Sequence, residues 1–227
     1  MKRAKRIGIF GGTFNPIHHG HLRAAEEVRE ALDLERVVFV PSAQPPHKHD
    51  HAGDPMAPAA ERLRWTRTAV VGNAAFEVDV LEVERGGRSY SIDTVRAIGA
   101  TTAPELPVFV IGCDAFALLG SWREPVALFE SAHFAVMTRP PVTGGSLADW
   151  LPKCVADDVE LAADGFSGRH RRSGAWVRLV PISALDISSS DIRARIRNGR
   201  SIRYLVPEPV REAVLRSGVY GDGDLGA

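Results

Sequence analysis

Residues 11–22 read Gly11-Gly12-Thr13-Phe14-Asn15-Pro16-Ile17-His18-His19-Gly20-His21-Leu22, and the fold is decided by what lies on either side of them. Just before, residues 6–10 include Ile7, Ile9 and Phe10 in the short apolar pattern of a buried strand. Just after, Leu22, Ala25, Val28 and Leu32 recur at helical spacing. A strand that turns into a helix needs one or two turn residues, yet this stretch holds three glycines, a proline and three histidines. Gly11 and Gly12 leave the backbone unobstructed where the strand ends. A helix beginning near His19 or Gly20 presents free N–H groups and the positive end of its dipole, which is an anion site. His18 and His21 are three apart, so both imidazoles can face one ligand across the helix start. Gly20 between them permits flat, close approach by a base or sugar. The turn reads as a cradle for a nucleotide polyphosphate. Two alternatives stand beside that reading: a plain turn with solvent-exposed histidines, and a zinc site from His18, His19 and His21, for which no further ligand stands at a recognisable spacing.

Outward from this turn the same alternation repeats. Residues 37–40, 108–111 and 134–137 are short and apolar throughout, as parallel strands covered on both faces are. Leu63, Arg67 and Val70 continue the helical spacing between them. Strand and helix in alternation imply right-handed crossovers and a doubly wound sheet, which binds ligands outside the carboxyl ends of its strands. Residues 76–80 alternate strictly, the pattern of a more exposed strand. Residues 42–58 form a long loop with four prolines and three histidines. Residues 140–174 mix glycine, proline and charge and read as a variable insertion within one domain spanning 1–227. The tail 221–227 is expected to fray.

Bulk properties narrow the function. In 227 residues, 28 basic side chains balance 28 acidic ones, so no net field draws the chain to nucleic acid or to a membrane surface. Any anion site must be local. The basic start, Met-Lys-Arg-Ala-Lys-Arg, is similar to that of a signal peptide, but the apolar run after it is short and is broken by Gly11-Gly12. No stretch approaches the roughly 20 apolar residues of a membrane helix. Cys113 and Cys154 are too few for a disulfide framework and show no metal spacing. The expectation is a cytoplasmic protein with reduced thiols.

The pattern Gly-Gly-Thr-Phe-Asn-Pro-x-His-x-Gly-His resembles the signature of the nucleotidyltransferase superfamily that carries an H-x-G-H motif. The resemblance implies an α/β fold: a Rossmann-like doubly wound sheet, mostly parallel, with a C-terminal helical segment. It also implies binding of ATP or CTP and transfer of the nucleoside monophosphate. His18 and His21 would contact the triphosphate and stabilise charge at the α-phosphorus, with Gly11, Gly12, Thr13, Phe14 and Gly20 lining the ATP site. The superfamily commonly has Asp where this chain has Asn15, which keeps the turn chemistry and loses a charge. Far downstream, Ile187-Ser-Ser-Ser-Asp-Ile-Arg193 reads by itself as a capped helix start, with Asp191 suited to the dipole and Asn198-Gly199 as the stop. It also resembles the superfamily's I-S-S-T-x-I/V-R motif, with Ser190 where Thr is usual. That resemblance assigns Ser188, Ser189 and Arg193 to the β- and γ-phosphates, and makes His18, His21 and Arg193 the catalytic set.

The acceptor is read from the middle of the chain. Pro45-Pro-His-Lys48 resembles the P-P-H-K/R motif of bacterial nicotinate-nucleotide adenylyltransferases, which lies near the acceptor phosphate. Ser89-Tyr-Ser-Ile-Asp-Thr94 is similar to that family's S-Y-T-x-x-T segment, with Ser91 in place of Thr. Gly112 and Asp114 match its G-x-D, followed by Trp122; Arg139 resembles a phosphate-contacting arginine. The resemblance therefore assigns His47, Lys48, Ser91, Trp122, Arg123 and Arg139 to the acceptor, and adds Gly112 and Asp114 to the ATP site. Residues 204–210 resemble the family's lead-in to its C-terminal helix. His49 and His51 read as solvated loop residues, and Trp122 is either a stacking platform or plain core. The implied substrates are ATP and nicotinate mononucleotide, with Mg2+ accompanying ATP through phosphate oxygens and water rather than a carboxylate cage. A nicotinamide mononucleotide, pantetheine phosphate or cytidylyl-transfer variant, or a non-catalytic nucleotide-binding regulator, remains the alternative. The oligomeric state, including a homo-oligomer, stays open.

Overall fold

In a computed structural model, residues 6–45, 55–138 and 145–221 are described. His47, Lys48, His49, His51, Arg139 and residues 222–227 lie outside them. The elements run β1 (Ile7–Gly12), α1 (His19–Leu32), β2 (Arg36–Pro41), α2 (Ala59–Val70), β3 (Phe76–Val78), α3 (Leu81–Arg85), α4 (Ser91–Thr102), β4 (Val108–Gly112) and α5 (Cys113–Ala117). They continue with α6 (Pro125–Ser131), β5 (His133–Thr138), β6 (Val159–Leu161), β7 (Ser167–His170), β8 (Trp176–Pro181), α7 (Ser189–Arg197) and α8 (Glu208–Ser217). The strands form one sheet in the order β3-β2-β1-β4-β5-β8-β7-β6. The pairs β1–β4, β4–β5 and β5–β8 are parallel. The order reverses direction between β1 and β4, the kind of switch point at which doubly wound sheets bind ligands.

Two compact units divide the chain. The first takes the described residues of Met1–Gly11, Ala24–Val38 and Tyr90–Ala184. Its central strands are buried along their apolar runs and open only at their carboxyl ends: Ile9, Val108, Val110, Phe134 and Val136 are all almost fully enclosed. Phe129 stacks on Phe134 at 4.5 Å, and Phe116 meets Phe134 edge-on at 5.7 Å, closing the core beneath α5 and α6. Periodicity assigns no strand to 140–174, yet β6 and β7 lie there and pair antiparallel (Val159↔His170, Leu161↔Gly168), and β7 pairs with β8. These short strands are made by their neighbours. Glu160 and Arg169 are exposed and carry no apolar rhythm of their own.

The second unit takes Gly12–Arg23, Phe39–Ser89 and the described residues of Leu185–Ala227. Phe14, Phe39 and Phe76 pack in sequence at 5.8 and 5.1 Å, and Trp65 lies against Tyr220 at 5.9 Å. The alternating segment 76–80 is a strand only to Val78, because the Asp79 carboxylate accepts the Leu81 N–H (2.8 Å) and starts α3. On α2 the buried face is not Leu63, Arg67 and Val70 but Arg62, Trp65 and Thr66. Arg62 goes inward because backbone carbonyls satisfy its guanidinium, as described below. Among the described residues, no helix is long and apolar enough to cross a membrane.

Candidate active site

The second unit contains the glycine–histidine turn from Gly12 onward and the serine helix, and hydrogen bonds join them directly. The Ser189 hydroxyl donates to the Pro16 carbonyl (2.9 Å) across 173 positions of sequence. Arg193 NH1 donates to the Asn15 carbonyl (2.7 Å) across 178. Arg193 is buried, and its NH2 reaches the Ser190 hydroxyl at 3.2 Å. The start of α7 is capped as its serines suggest: the Ser188 hydroxyl accepts the Asp191 N–H at 3.1 Å. The helix stops at Asn198 and Gly199, the latter at a φ of +62°.

Within the turn, side chains are set by their neighbours. The His18 backbone N–H donates to His21 Nδ1 at 3.3 Å, which leaves the proton of the neutral His21 ring on Nε2. The two imidazoles stack, with 3.7 Å between ring centres and 28° between planes. Phe14, buried and at a φ of +47°, meets the His21 ring edge-on at 5.1 Å. Gly20 has a packing reason: a Cβ there would lie 3.0 Å from Cε1 and Nδ1 of His18. A Cβ at Gly12 would lie 2.8 Å from the Phe14 ring. The start of α1, where the His19 N–H donates to the Leu205 carbonyl (3.0 Å) and the His21 N–H to the His18 carbonyl (2.9 Å), and the start of α7 thus belong to one hydrogen-bonded assembly that brings imidazoles beside the N–H groups and hydroxyls of the serine helix. Such donors suit phosphate oxygens, not a hard cation. The Asp191 carboxylate is engaged by Arg195 Nε at 2.7 Å. Among the described residues, no three His, Cys, Asp or Glu side chains are grouped to hold a metal ion.

Asn15 has a larger part than its turn position announces. Its side-chain oxygen accepts the Ala57 N–H (3.0 Å) and the Tyr220 hydroxyl, and its amide donates to the Pro55 carbonyl at 3.3 Å. Arg62 is enclosed to 1 % exposure and donates to the carbonyls of Thr13 (2.7 Å), Ala43 (2.9 Å) and Ala57 (2.9 Å). Burial pushes its pKa down, against opposing pulls from Tyr220 and Glu82. Neither Arg62 nor Tyr220 belongs to a recognisable motif. The one signal is an arginine three and four positions before Trp65 and Thr66 on a helix, which places it on their face.

The first unit holds Gly112, Asp114, Ser91, Trp122 and Arg123 of the expected residues. Gly112 closes β4 with open space around the place a side chain would occupy, and Asp114 is exposed at the start of α5. Trp122 is half-buried and edge-on to Phe109 at 6.4 Å, so part of its ring is core and part is accessible. The Arg123 guanidinium lies 4.8 Å above the Tyr90 ring, and Ser91 opens α4 next to it. The hydrogen bond from Arg96 (2.7 Å) holds the Glu124 carboxyl below the ordinary carboxylate range.

The sequence profile of the cytidylyltransferase-like family matches residues 9–195. A relative from Geotalea daltonii named probable nicotinate-nucleotide adenylyltransferase is 44% identical over 218 residues, covering 96% of this chain and 99% of its own. One of the same name from Marinobacter nauticus is 43% identical over 94% of this chain and 95% of its own. The solved nicotinic acid mononucleotide adenylyltransferase of Plasmodium falciparum, complexed with NaAD, shares the fold. It superposes with a TM-score of 0.70 at 16% identity, over 98% of this chain and 100% of that one. With this fold, an H-x-G-H turn bonded to a serine-capped helix and relatives matched over nearly their whole length, the chain belongs to the nicotinate-nucleotide adenylyltransferases of the cytidylyltransferase-like family.

Proposed function

We propose that the chain transfers the adenylyl group of ATP to nicotinate mononucleotide, giving nicotinate adenine dinucleotide and pyrophosphate, by direct in-line attack. An acceptor phosphate oxygen forms the new bond to the α-phosphorus as the bond to the β-phosphate oxygen breaks. A phosphate monoester carries roughly −1.5 to −2 charge at neutral pH, so the nucleophile needs no general base. The difficulty is the approach of two anions. Catalysis is therefore positioning and neutralisation. His18 and His21 stabilise charge at the α-phosphorus by hydrogen bonding, His21 through its Nε2–H, while the N–H groups at the start of α7 hold the β- and γ-phosphates, with the Ser188 hydroxyl and the Ser189 N–H taking part. Arg193 adds its charge while tying α7 to the turn. Gly11, Gly12, Thr13, Phe14 and Gly20 admit the nucleotide, and Gly112 and Asp114 contribute to its binding. Mg2+ enters as part of the ATP substrate, where it shields the phosphate charge; the donor set of the turn and helix receives the phosphates, not the ion. Trp122, Ser91 and Arg123, together with His47, Lys48 and Arg139, recognise the acceptor.

The observation that supports this most is the pair of bonds from Ser189 to Pro16 and from Arg193 to Asn15, which join the histidine turn to the serine helix. The test is pyrophosphate release from ATP with nicotinate mononucleotide, nicotinamide mononucleotide and pantetheine phosphate measured in parallel. The expected result is release with nicotinate mononucleotide at the highest kcat/KM. Preference for either other acceptor overturns the substrate assignment, and no release with any of them overturns the enzymatic reading.

A further inference from the structure

Arg62 is a cation enclosed in the second unit and outside every motif of the reaction. Its three bonds go to backbone carbonyls in three separate stretches: Thr13 in the nucleotide turn, Ala43 after β2 and Ala57 before α2. Two of those stretches are bonded again. The Ala57 N–H donates to the Asn15 side chain, two residues beyond Thr13, and the Ala43 N–H donates to the buried Ser89 hydroxyl at 2.9 Å. Thr13, Arg62, Ala57 and Asn15 thereby close a ring of hydrogen bonds around the base of the turn. A helix needing only a packed face would place an aliphatic side chain here, since a buried guanidinium without a fork of acceptors is costly. What the guanidinium adds is direction. In a trans peptide the carbonyl and the following N–H point opposite ways, so drawing the Thr13 carbonyl toward α2 turns the Phe14 N–H away from it.

We propose that Arg62 is a positioning residue for adenylyl transfer: it fixes the peptide planes of the 13–15 turn so that their N–H groups meet the triphosphate. This rests on the reading of that turn as the ATP site. Lysine keeps the charge but, as a point donor, reaches one carbonyl at a time, so Arg62→Lys separates charge from direction. In that variant, at a temperature where circular dichroism shows folded protein, calorimetric ATP affinity falls by roughly 10-fold and kcat/KM by roughly 10- to 100-fold, while adenosine affinity is unchanged. A lower melting temperature with unaltered ATP affinity and kcat/KM makes Arg62 a packing residue and overturns the proposal. If the variant does not fold, the wild-type Arg62 Nε–H resonance decides: a shift on ATP addition supports the coupling, and an unmoved resonance overturns it. Absence of ATP binding to the wild type sinks the reading of the turn itself, an outcome separate from normal ATP binding by Arg62→Lys.

Discussion

His133 is a histidine whose surroundings oppose its charging. It is 8 % exposed, stacks on Trp176 with 4.6 Å between rings, and accepts the Trp176 backbone N–H on Nδ1 at 3.1 Å. Burial, then Arg6, Arg169 and Arg178, lower its pKa from 6.5 to about 4. The unfolded chain therefore binds more protons between those two values, and stability rises with pH through that window. The contribution is fully present above pH 6.5 and is lost as the pH falls toward 4. Between about pH 7.5 and 5 the loss is on the order of 2 kcal/mol. His133→Asn keeps an acceptor for the N–H and does not titrate. Thermal melts at those two pH values should show a smaller drop in Tm for this variant than for the wild type. Equal drops would show that His133 remains exposed to protonation in the fold. Nothing in the sequence marks this histidine, because its shift comes from burial and from Arg6, Arg169 and Arg178 in distant parts of the chain.

The start of α1 sets helix propensity against the packing of a histidine ring. Gly20 lies in the helix, where Ala would favour helix formation by about 1 kcal/mol. Its hydrogen is needed because a Cβ would press on the His18 ring at 3.0 Å. Gly20→Ala should thus hold or raise Tm while lowering kcat/KM by roughly 10- to 100-fold, a separation of stability from activity. Unchanged kcat/KM would mean that His18 moves aside without consequence. Elements of this kind were legible where composition alone sets structure. β1, β2, β4 and β5 stand on their unbroken apolar runs, and α7 on its serine cap and Asn-Gly stop. β6 and β7 were not, since three- and four-residue strands with Glu160 and Arg169 outward are held by pairing with neighbours. Periodicity misplaces the inward face of α2 for a related reason: it treats arginine as a surface residue, and only the three carbonyls around Arg62 reverse that.

At the scale of the molecule, long-range bonds within the second unit join separate motifs into one hydrogen-bonded assembly. The serine helix and the histidine turn could each be recognised in the sequence. Their attachment through Arg193 to Asn15 and Ser189 to Pro16 could not, because a hydrogen bond to a backbone carbonyl leaves no trace in residue identity. Tyr220, in the turn after α8, adds a third segment to this junction by donating to the Asn15 side chain. The central claim is that both segments hold one triphosphate. The most direct measurement is calorimetric binding of ATP and of adenosine to the wild type, His21→Ala and Ser189→Ala. The account predicts that each variant loses ATP affinity by about tenfold or more while its adenosine affinity matches the wild type. ATP affinity unchanged in either variant, or adenosine affinity lost in parallel, would contradict it.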